Sequence, residues 1–154
     1  MWQGQVEAIY IAGEDAKPME SIDEVAALAG RGLEGDRYFT GEGTFSKKPD
    51  PGRNVTLIER EAIESAKTKY GVDLSEGKPR RNIQTRGVPL NHLVGKEFLI
   101  GDVRVKGVKL CEPCGHLESL TESGVKNALI HRGGLRADIL TDGTIKIGDP
   151  IREP

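Results

Sequence analysis

The stretch FLIGDVRVKGVKL, residues 98–110, contains the clearest structural pattern in the chain. Residues 98–100 are all apolar, and Val103, Val105 and Val108 recur beyond the dipeptide Gly101-Asp102. A Gly-Asp pair between two such runs is typical of a β-hairpin. The stretch therefore predicts two antiparallel strands joined by a tight turn.

Much of the remaining chain has the same character. Runs rich in β-branched residues predict further strands at 5–11, 54–58, 81–85, 135–140 and 144–147. Asp142-Gly143, between the last two runs, predicts a second hairpin. Twenty glycines agree with a chain of many turns. We expect a mainly β domain, a closed or nearly closed barrel with a few peripheral α-helices.

Three segments have helical signals. Ser21 and Glu24 form a capping box at the start of residues 21–30, which end on a glycine. Residues 59–70 carry apolar side chains at helical spacing, with a glycine after them. A third helix is predicted at 123–131.

Composition limits the classes of function. The 154 residues include 22 basic and 24 acidic ones, so nothing global favours nucleic acid or an anionic membrane. No apolar run approaches the roughly 20 residues of a membrane span, and residues 1–4 do not begin a signal peptide. We expect one domain over residues 1–154, located in the cytoplasm, with reduced thiols.

Both cysteines lie in KLCEPCGH, residues 109–116. Four interpretations are open. In the first, Cys111, Cys114 and His116 form a zinc clasp with the distant His131. In the second, the Cys-x-x-Cys spacing forms a redox pair. In the third, the two thiols pack in the core, and in the fourth, one thiol is functional with the other beside it.

The neighbouring residues favour a single functional thiol. Glu112 and Pro113 indicate a loop that follows a strand, and loops carry function more often than cores do. A redox pair usually opens a helix, where the dipole lowers the thiol pKa. We therefore expect Cys114 to be the functional thiol, with Cys111 packed behind it.

Arginines recur beside turn residues in three places. Arg37 lies in RGLEGDRYF, residues 31–39, and Arg80 lies in PRRNIQT, residues 79–85. Arg136 lies in HRGGLRA, residues 131–137. Solvated surface arginine is the alternative for each cluster. The planar guanidinium binds phosphate or carboxylate in bidentate fashion, so the three clusters together predict an anionic, phosphorylated cofactor near the thiolate.

Four segments resemble the MOSC domain, the module found at the C-terminus of molybdenum-cofactor sulfurases. They are GRGLEGDRYFTGEGTFS, VTLIEREAIE, RRNIQTRGVPLNHLVGKEFLIGDVRVKGVKLCEPCGHL and HRGGLRADILTDGTIKIGDPI. They keep the order of the family and cover most of the chain from residue 30 to 151. The resemblance implies a mainly β barrel and a short standalone member of the family.

The resemblance also implies site residues. The characteristic cysteine of the family falls on Cys114. In amidoxime-reducing relatives this cysteine ligates molybdenum through its thiolate, and in the sulfurases it has been proposed to carry persulfide sulfur. Phosphate-binding basic and amide residues fall on Arg37, Arg80 and Asn82, with Arg136 as a weaker member.

Three functions follow from the resemblance and the residues. The first is a molybdenum-cofactor-binding protein, an oxidoreductase on N-hydroxylated substrates that works with a reductase partner. The second is a sulfur carrier that accepts persulfide sulfur on Cys114 from a pyridoxal-phosphate-dependent cysteine desulfurase. The third is a thiol-bearing binding module with neither activity. The acidic residues at 12–15 and Glu112 depart from the phosphate-binding pattern of relatives and keep the second function open.

Overall fold

The computed structural model describes residues 2–13, 19–36, 54–71, 73, 80–110 and 134–154. Within these ranges the chain forms eleven strands, the α-helix α1 (Arg60–Tyr70) and a short 3-10 helix at Leu90–His92. The strands are β1 (Gln3–Ile11), β2 (Glu20–Ile22), β3 (Glu24–Leu28), β4 (Gly32–Leu33), β5 (Val55–Glu59), β6 (Ile83–Arg86), β7 (Glu97–Ile100), β8 (Val103–Leu110), β9 (Leu135–Ile139), β10 (Gly143–Lys146) and β11 (Pro150–Arg152).

Seven of these strands close into a barrel. Their order is β1-β11-β7-β8-β9-β5-β6, and β6 pairs with β1 again. All neighbours are antiparallel except β5 and β6, which are parallel and joined through α1. Strand β2 extends the sheet beside β1, and β3, β4 and β10 form a separate three-stranded sheet. The predicted mainly β fold with a closed barrel is confirmed.

The barrel interior is the hydrophobic core, because side chains alternate between the two faces of each strand. On β9, Leu135, Ala137 and Ile139 are buried in the core, while Arg136 and Asp138 between them are half-buried on the outer face. The outer face of β5 is also covered, since α1 packs on β5 and β6 and buries three of its own residues. The barrel wall therefore has buried positions on both sides here.

One predicted hairpin is confirmed and the other is wrong. Strands β7 and β8 pair around Gly101, whose φ of 58° suits glycine. Strands β9 and β10 do not pair, because β9 joins β5 and β8 whereas β10 joins β3. Asp142 instead accepts a hydrogen bond at 2.7 Å from the backbone N–H of Ala29, so this turn passes the chain from the barrel to the small sheet.

The predicted helices had mixed outcomes. Residues 59–70 do form α1, closed by Gly71 in the left-handed conformation with its N–H bonded to Lys67. Residues 21–30 are strands instead, because Val25 and Ala27 bury one face of β3 and pair with β10. Pairing with a distant strand overrides the local helical signal. The segment 123–131 lies outside the described residues.

No helix in the described ranges has the length and apolar character needed to cross a membrane.

Candidate functional site

Asn82 lies just before β6 and joins three strands of the barrel. Its Oδ1 accepts hydrogen bonds from the backbone N–H of Thr56 at 3.0 Å and from the Thr56 hydroxyl at 3.1 Å. Its Nδ2 donates to the carbonyl of Tyr10 at 3.1 Å, and its own backbone N–H donates to the Thr56 hydroxyl at 3.0 Å. We call Tyr10, Thr56 and Asn82 the Asn82 junction.

The Asn82 junction is closed to solvent. Asn82 is fully buried, and Tyr10 and Thr56 are buried as well. A primary amide has one acceptor oxygen and two N–H donors. With the oxygen engaged twice and one N–H donated to Tyr10, at most one N–H remains for a ligand. The side chain that the resemblance assigns to phosphate binding thus acts first as a connector of β1, β5 and β6.

Arg80, two residues before Asn82, has an unusual backbone. Its φ of 59° is the one positive value found among the non-glycine residues that the structure describes. Such a conformation is uncommon for a residue with a side chain and persists where the surroundings hold it. Arg80 is only 9% exposed, and its Nη2 is buried without a hydrogen bond, although the residue has other interaction partners.

Arg81 is equally buried, at 9% exposure. The sequence predicts a strand from residue 81 onward, and adjacent side chains of a strand point to its opposite faces. Strand β6 begins only at Ile83, and the two arginines precede it in a segment where both side chains are covered. Buried guanidinium groups require favourable partners, and both residues have interaction partners in the structure.

Arg136 lies on the outer face of the barrel beside the Asn82 junction. In the register of β5 and β9 it is directly opposite Thr56, and in the register of β8 and β9 it is opposite Lys109. Directly opposed residues of an antiparallel pair share a face, so the Arg136 side chain is on the same face as that of Thr56. Adjacent strands are about 4.8 Å apart, which separates the backbones of Asn82 and Arg136 by about 10 Å.

The predicted residue Arg37 lies outside the described residues, but its neighbour Asp36 is well placed. Asp36 is buried, and its Oδ1 accepts a hydrogen bond at 3.1 Å from the backbone N–H of Ala12. Ala12 follows β1 two residues after Tyr10, and Arg80 precedes β6 two residues before Asn82. Strands β1 and β6 are antiparallel, so the end of β1 lies beside the start of β6. Asp36, the neighbour of Arg37, is bonded at the first of these strand ends, and Arg80 lies at the second.

Cys114 also lies outside the described residues, together with Cys111, His116 and His131. Its nearest described neighbour along the chain is Leu110, which ends β8 opposite Leu135. Cys114 follows Leu110 by four residues in the sequence. A shared site of Cys114 with Arg37, Arg80, Asn82 and Arg136 stays a prediction.

The described ranges contain no group of three His, Cys, Asp or Glu side chains that could hold a metal ion. The four residues of the zinc interpretation fall outside these ranges, so that interpretation is not tested.

Sequence reasoning missed Thr56 and Gly134. Thr56 is the polar residue in the apolar run VTLI of β5, and a buried hydroxyl in such a run is a usable signal for a hydrogen-bonded junction. Gly134 has a φ of 115°, and a Cβ there would lie 2.1 Å from the carbonyl oxygen of Leu57. Glycine is therefore required where the chain enters β9, but this follows from the approach of β5 and has no local signal.

These features define a class of protein: a small closed β-barrel with cationic residues on its outer wall and a cysteine-bearing connection between two adjacent strands. The family model of the MOSC domain matches residues 35–152, and the chain belongs to the MOSC domain family. The resemblance found in the sequence is thus confirmed.

Several solved structures have the same fold. The YUAD protein from Bacillus subtilis has a TM-score of 0.79 at 19% identity, covering 98% of this chain and 97% of that one. YiiM from Geobacillus stearothermophilus has a TM-score of 0.70 at 16% identity, covering 97% and 74%. YiiM from Escherichia coli has a TM-score of 0.65 at 17% identity, covering 96% and 68%. At such identities the likeness concerns the fold.

Comparison with curated proteins found no significant match.

Proposed function

We propose that this MOSC protein binds a molybdenum-cofactor-type ligand, with the Cys114 thiolate as the ligand to the metal. The observation that carries the proposal is the position of Arg136. It lies on the outer barrel wall opposite both Thr56 and Lys109, and Lys109 precedes Cys114 by five residues. Lys109 and Arg136 therefore form a cationic pair on the two strands that this thiol-containing segment connects.

The chemistry of these residues suits such a ligand. Guanidinium groups form strong, charge-assisted hydrogen bonds with phosphate, and a lysine adds a compact positive charge. Thiolate is a soft ligand appropriate to a soft metal centre. The donor set that includes Arg136, Lys109 and Cys114 therefore fits an anionic pterin cofactor.

Each residue has a distinct role in this proposal. Arg136 and Lys109 hold the anionic end, Arg80 extends the positive field from the segment before β6, and Arg37 is expected to add to it. Asn82 positions the segment of Arg80 through its bonds to Thr56 and Tyr10. When bound, the molybdenum centre supplies two-electron redox chemistry, and a separate reductase would deliver the electrons for an N-hydroxylated substrate.

A second function, sulfur transfer, is favoured by the engagement of Asn82. Because the Asn82 amide is bonded to Thr56 and Tyr10, it has at most one N–H left to donate to a phosphate. Transfer of a sulfur atom does not require a phosphate-binding site. In this step the Cys114 thiolate attacks the outer sulfur of a persulfide on a pyridoxal-phosphate-dependent desulfurase. The donor S–S bond breaks, a new one forms at Cys114, and the donor leaves as a thiolate.

Cysteine substitutions test the proposal and separate the two functions. We expect protein produced in a host that makes the cofactor to contain close to one equivalent of molybdenum. Cys114→Ser should lose the metal, whereas the matched Cys111→Ser should retain it, as elemental analysis and pterin fluorescence would report. Equal loss in both variants would contradict a single functional thiol.

If the wild-type protein carries no molybdenum, incubation with a cysteine desulfurase and cysteine tests the second function. A mass increase of one sulfur atom that requires Cys114 would establish it. Absence of both metal and added sulfur would overturn both functions and leave the thiol-bearing binding module.

Arg136→Gln tests the anion-binding half of the proposal. Loss of a charge-assisted interaction should weaken cofactor retention about tenfold. Arg152→Gln is the matched control, because Arg152 is an exposed arginine on β11. If both variants retain the cofactor equally, Arg136 is not part of the site.

A further inference from the structure

A groove of about 850 Å³ lies on a part of the molecule that the proposed function does not use. One wall is the outer face of the β7–β8 hairpin, where Arg104 and Lys106 alternate with the buried residues of β8. The other wall is the segment from Pro89 to Lys96, and Trp2 borders the groove from the start of β1. Arg80, Asn82 and Arg136 are not among its lining residues.

The groove is held open by backbone hydrogen bonds between its walls. Gly95 donates its N–H to the carbonyl of Gly107 at 2.8 Å, and Gly107 donates to the carbonyl of Lys96 at 3.0 Å. Position 107 requires glycine, because a Cβ there would lie 2.1 Å from the carbonyl oxygen of Leu93. The walls are thus fixed to each other in the absence of any ligand, as in most small-molecule sites.

The groove combines apolar surface with positive charge. Trp2, Pro89 and Leu93 supply the apolar part. Of the cationic residues, Arg104 is paired with Glu97 at 2.9 Å. Within the described part of the chain, neither Lys96 nor Lys106 takes part in an ion pair.

Glu153 is the further acidic side chain in the lining and offsets one of these two lysines. The lining therefore has three cationic side chains, those of Lys96, Arg104 and Lys106, and two carboxylates, those of Glu97 and Glu153.

We propose that this groove is a second binding site, for a small organic anion with a flat apolar body. The body would lie against Trp2 and Leu93, and the anionic group would lie between Lys96 and Lys106. Aromatic side chains contribute large apolar contact areas, and lysine ammonium groups donate to anionic oxygens. The volume is within the range of about 300–1,000 Å³ that is typical of small-molecule sites.

Trp2 is the single tryptophan of the chain, so its emission reports on the groove directly. The probe is anilinonaphthalene sulfonate, and its matched comparison is phenylnaphthylamine, which has the same aromatic body without the sulfonate. We expect the sulfonate to quench Trp2 emission with saturation at one equivalent, and phenylnaphthylamine to bind at least about tenfold more weakly, because it lacks the charge that the lysines attract.

The double variant Lys96→Gln, Lys106→Gln should raise the Kd of the sulfonate about tenfold, since each exposed charge pair contributes modestly. It should leave the Kd of phenylnaphthylamine unchanged. Lys146→Gln, an exposed lysine on β10 outside the groove, and Arg136→Gln, at the proposed cofactor site, should leave both values unchanged. Circular dichroism would verify that each variant is folded.

Three results would overturn the proposal. They are unsaturable quenching, equal affinity for the two probes, and a Kd of the sulfonate that is insensitive to the double variant. A dependence on Arg136 instead of the lysines would assign the bound sulfonate to the cofactor site and likewise exclude the groove.

Discussion

Two polar centres connect β1 and β6 to a third element, and they differ in their exposure to solvent. The Asn82 junction adds β5 and is buried, with five hydrogen bonds among Tyr10, Thr56 and Asn82. Arg86 adds α1, because its Nε contacts Glu7 of β1 at 3.1 Å and its Nη2 contacts Glu64 of the helix at 3.0 Å. The Arg86 side chain is 42% exposed.

The comparison shows that solvent access, more than formal charge, sets the contribution of a polar contact. Exposed ion pairs contribute about 0–1 kcal/mol, because water and salt screen them and two long side chains must be ordered. A buried group that loses its partner costs about 1–3 kcal/mol, because water cannot replace the lost hydrogen bond. The neutral junction should therefore stabilise the barrel more than the charged one.

Asn82→Ala should have the largest effect. It leaves the backbone N–H of Thr56 and the carbonyl of Tyr10 buried without these bonds, so we expect a loss of about 3–4 kcal/mol in the free energy of unfolding. Urea denaturation measures it. Gln3→Ala removes an exposed amide from β1, outside the Asn82 junction, and should change stability by less than about 0.5 kcal/mol. A loss below about 1 kcal/mol for Asn82→Ala would contradict the importance of burial.

Thr56→Val should have an intermediate effect. The substitution keeps the shape of the side chain but removes the hydroxyl that accepts from Asn82 N–H and donates to Asn82 Oδ1. We expect a loss of about 1–2 kcal/mol by denaturant unfolding. Thr56→Ser retains the hydroxyl and should recover most of that loss. If serine is as destabilising as valine, the hydroxyl does not account for more of the stability than the methyl group, and the expected role of the hydroxyl is contradicted.

Arg86→Gln should cost less than about 1 kcal/mol, and the difference from wild type should shrink further at high salt. Arg104→Gln is a suitable comparison, since Arg104 forms a similarly exposed pair with Glu97 at 2.9 Å. Thermal unfolding at low and high ionic strength measures both. A salt-independent loss of several kcal/mol for Arg86 would show that the two centres do not differ as proposed.

The smallest effect concerns the pH dependence at Glu7. A hydrogen bond from Gln5, and then the hydrogen bond and charge of Arg86, lower the pKa of Glu7 in the folded protein, against an opposing effect of burial. A lowered folded pKa stabilises the fold above the unfolded pKa of about 4.3 and loses that contribution as pH falls through the folded value.

Glu7→Gln should therefore reduce stability slightly at neutral pH. Its difference from wild type should decline below the unfolded pKa of about 4.3 and vanish once the pH is below the lowered folded pKa. Denaturant titrations from neutral pH downward measure this difference. A difference that grows in acid would reverse the sign assigned to Glu7.

Local sequence determined much of this protein. The hairpin of β7 and β8, helix α1 with its glycine cap and the high strand content all follow from short-range patterns, and the structure confirms them. The family also follows from the order of four segments, and the domain match confirms it. These features depend on turn chemistry and periodicity, which neighbouring residues express without reference to the rest of the chain.

The tertiary structure alone decided the rest. Residues 21–30 became strands because β10, more than a hundred residues away, pairs with β3. The Asp142-Gly143 turn leads between two sheets because Asp142 binds Ala29. Asn82 is committed to the barrel because β5 brings Thr56 within 3.1 Å of its amide. In each case the partner that stabilises the observed structure is distant in sequence. The local pattern of residues therefore cannot predict the outcome.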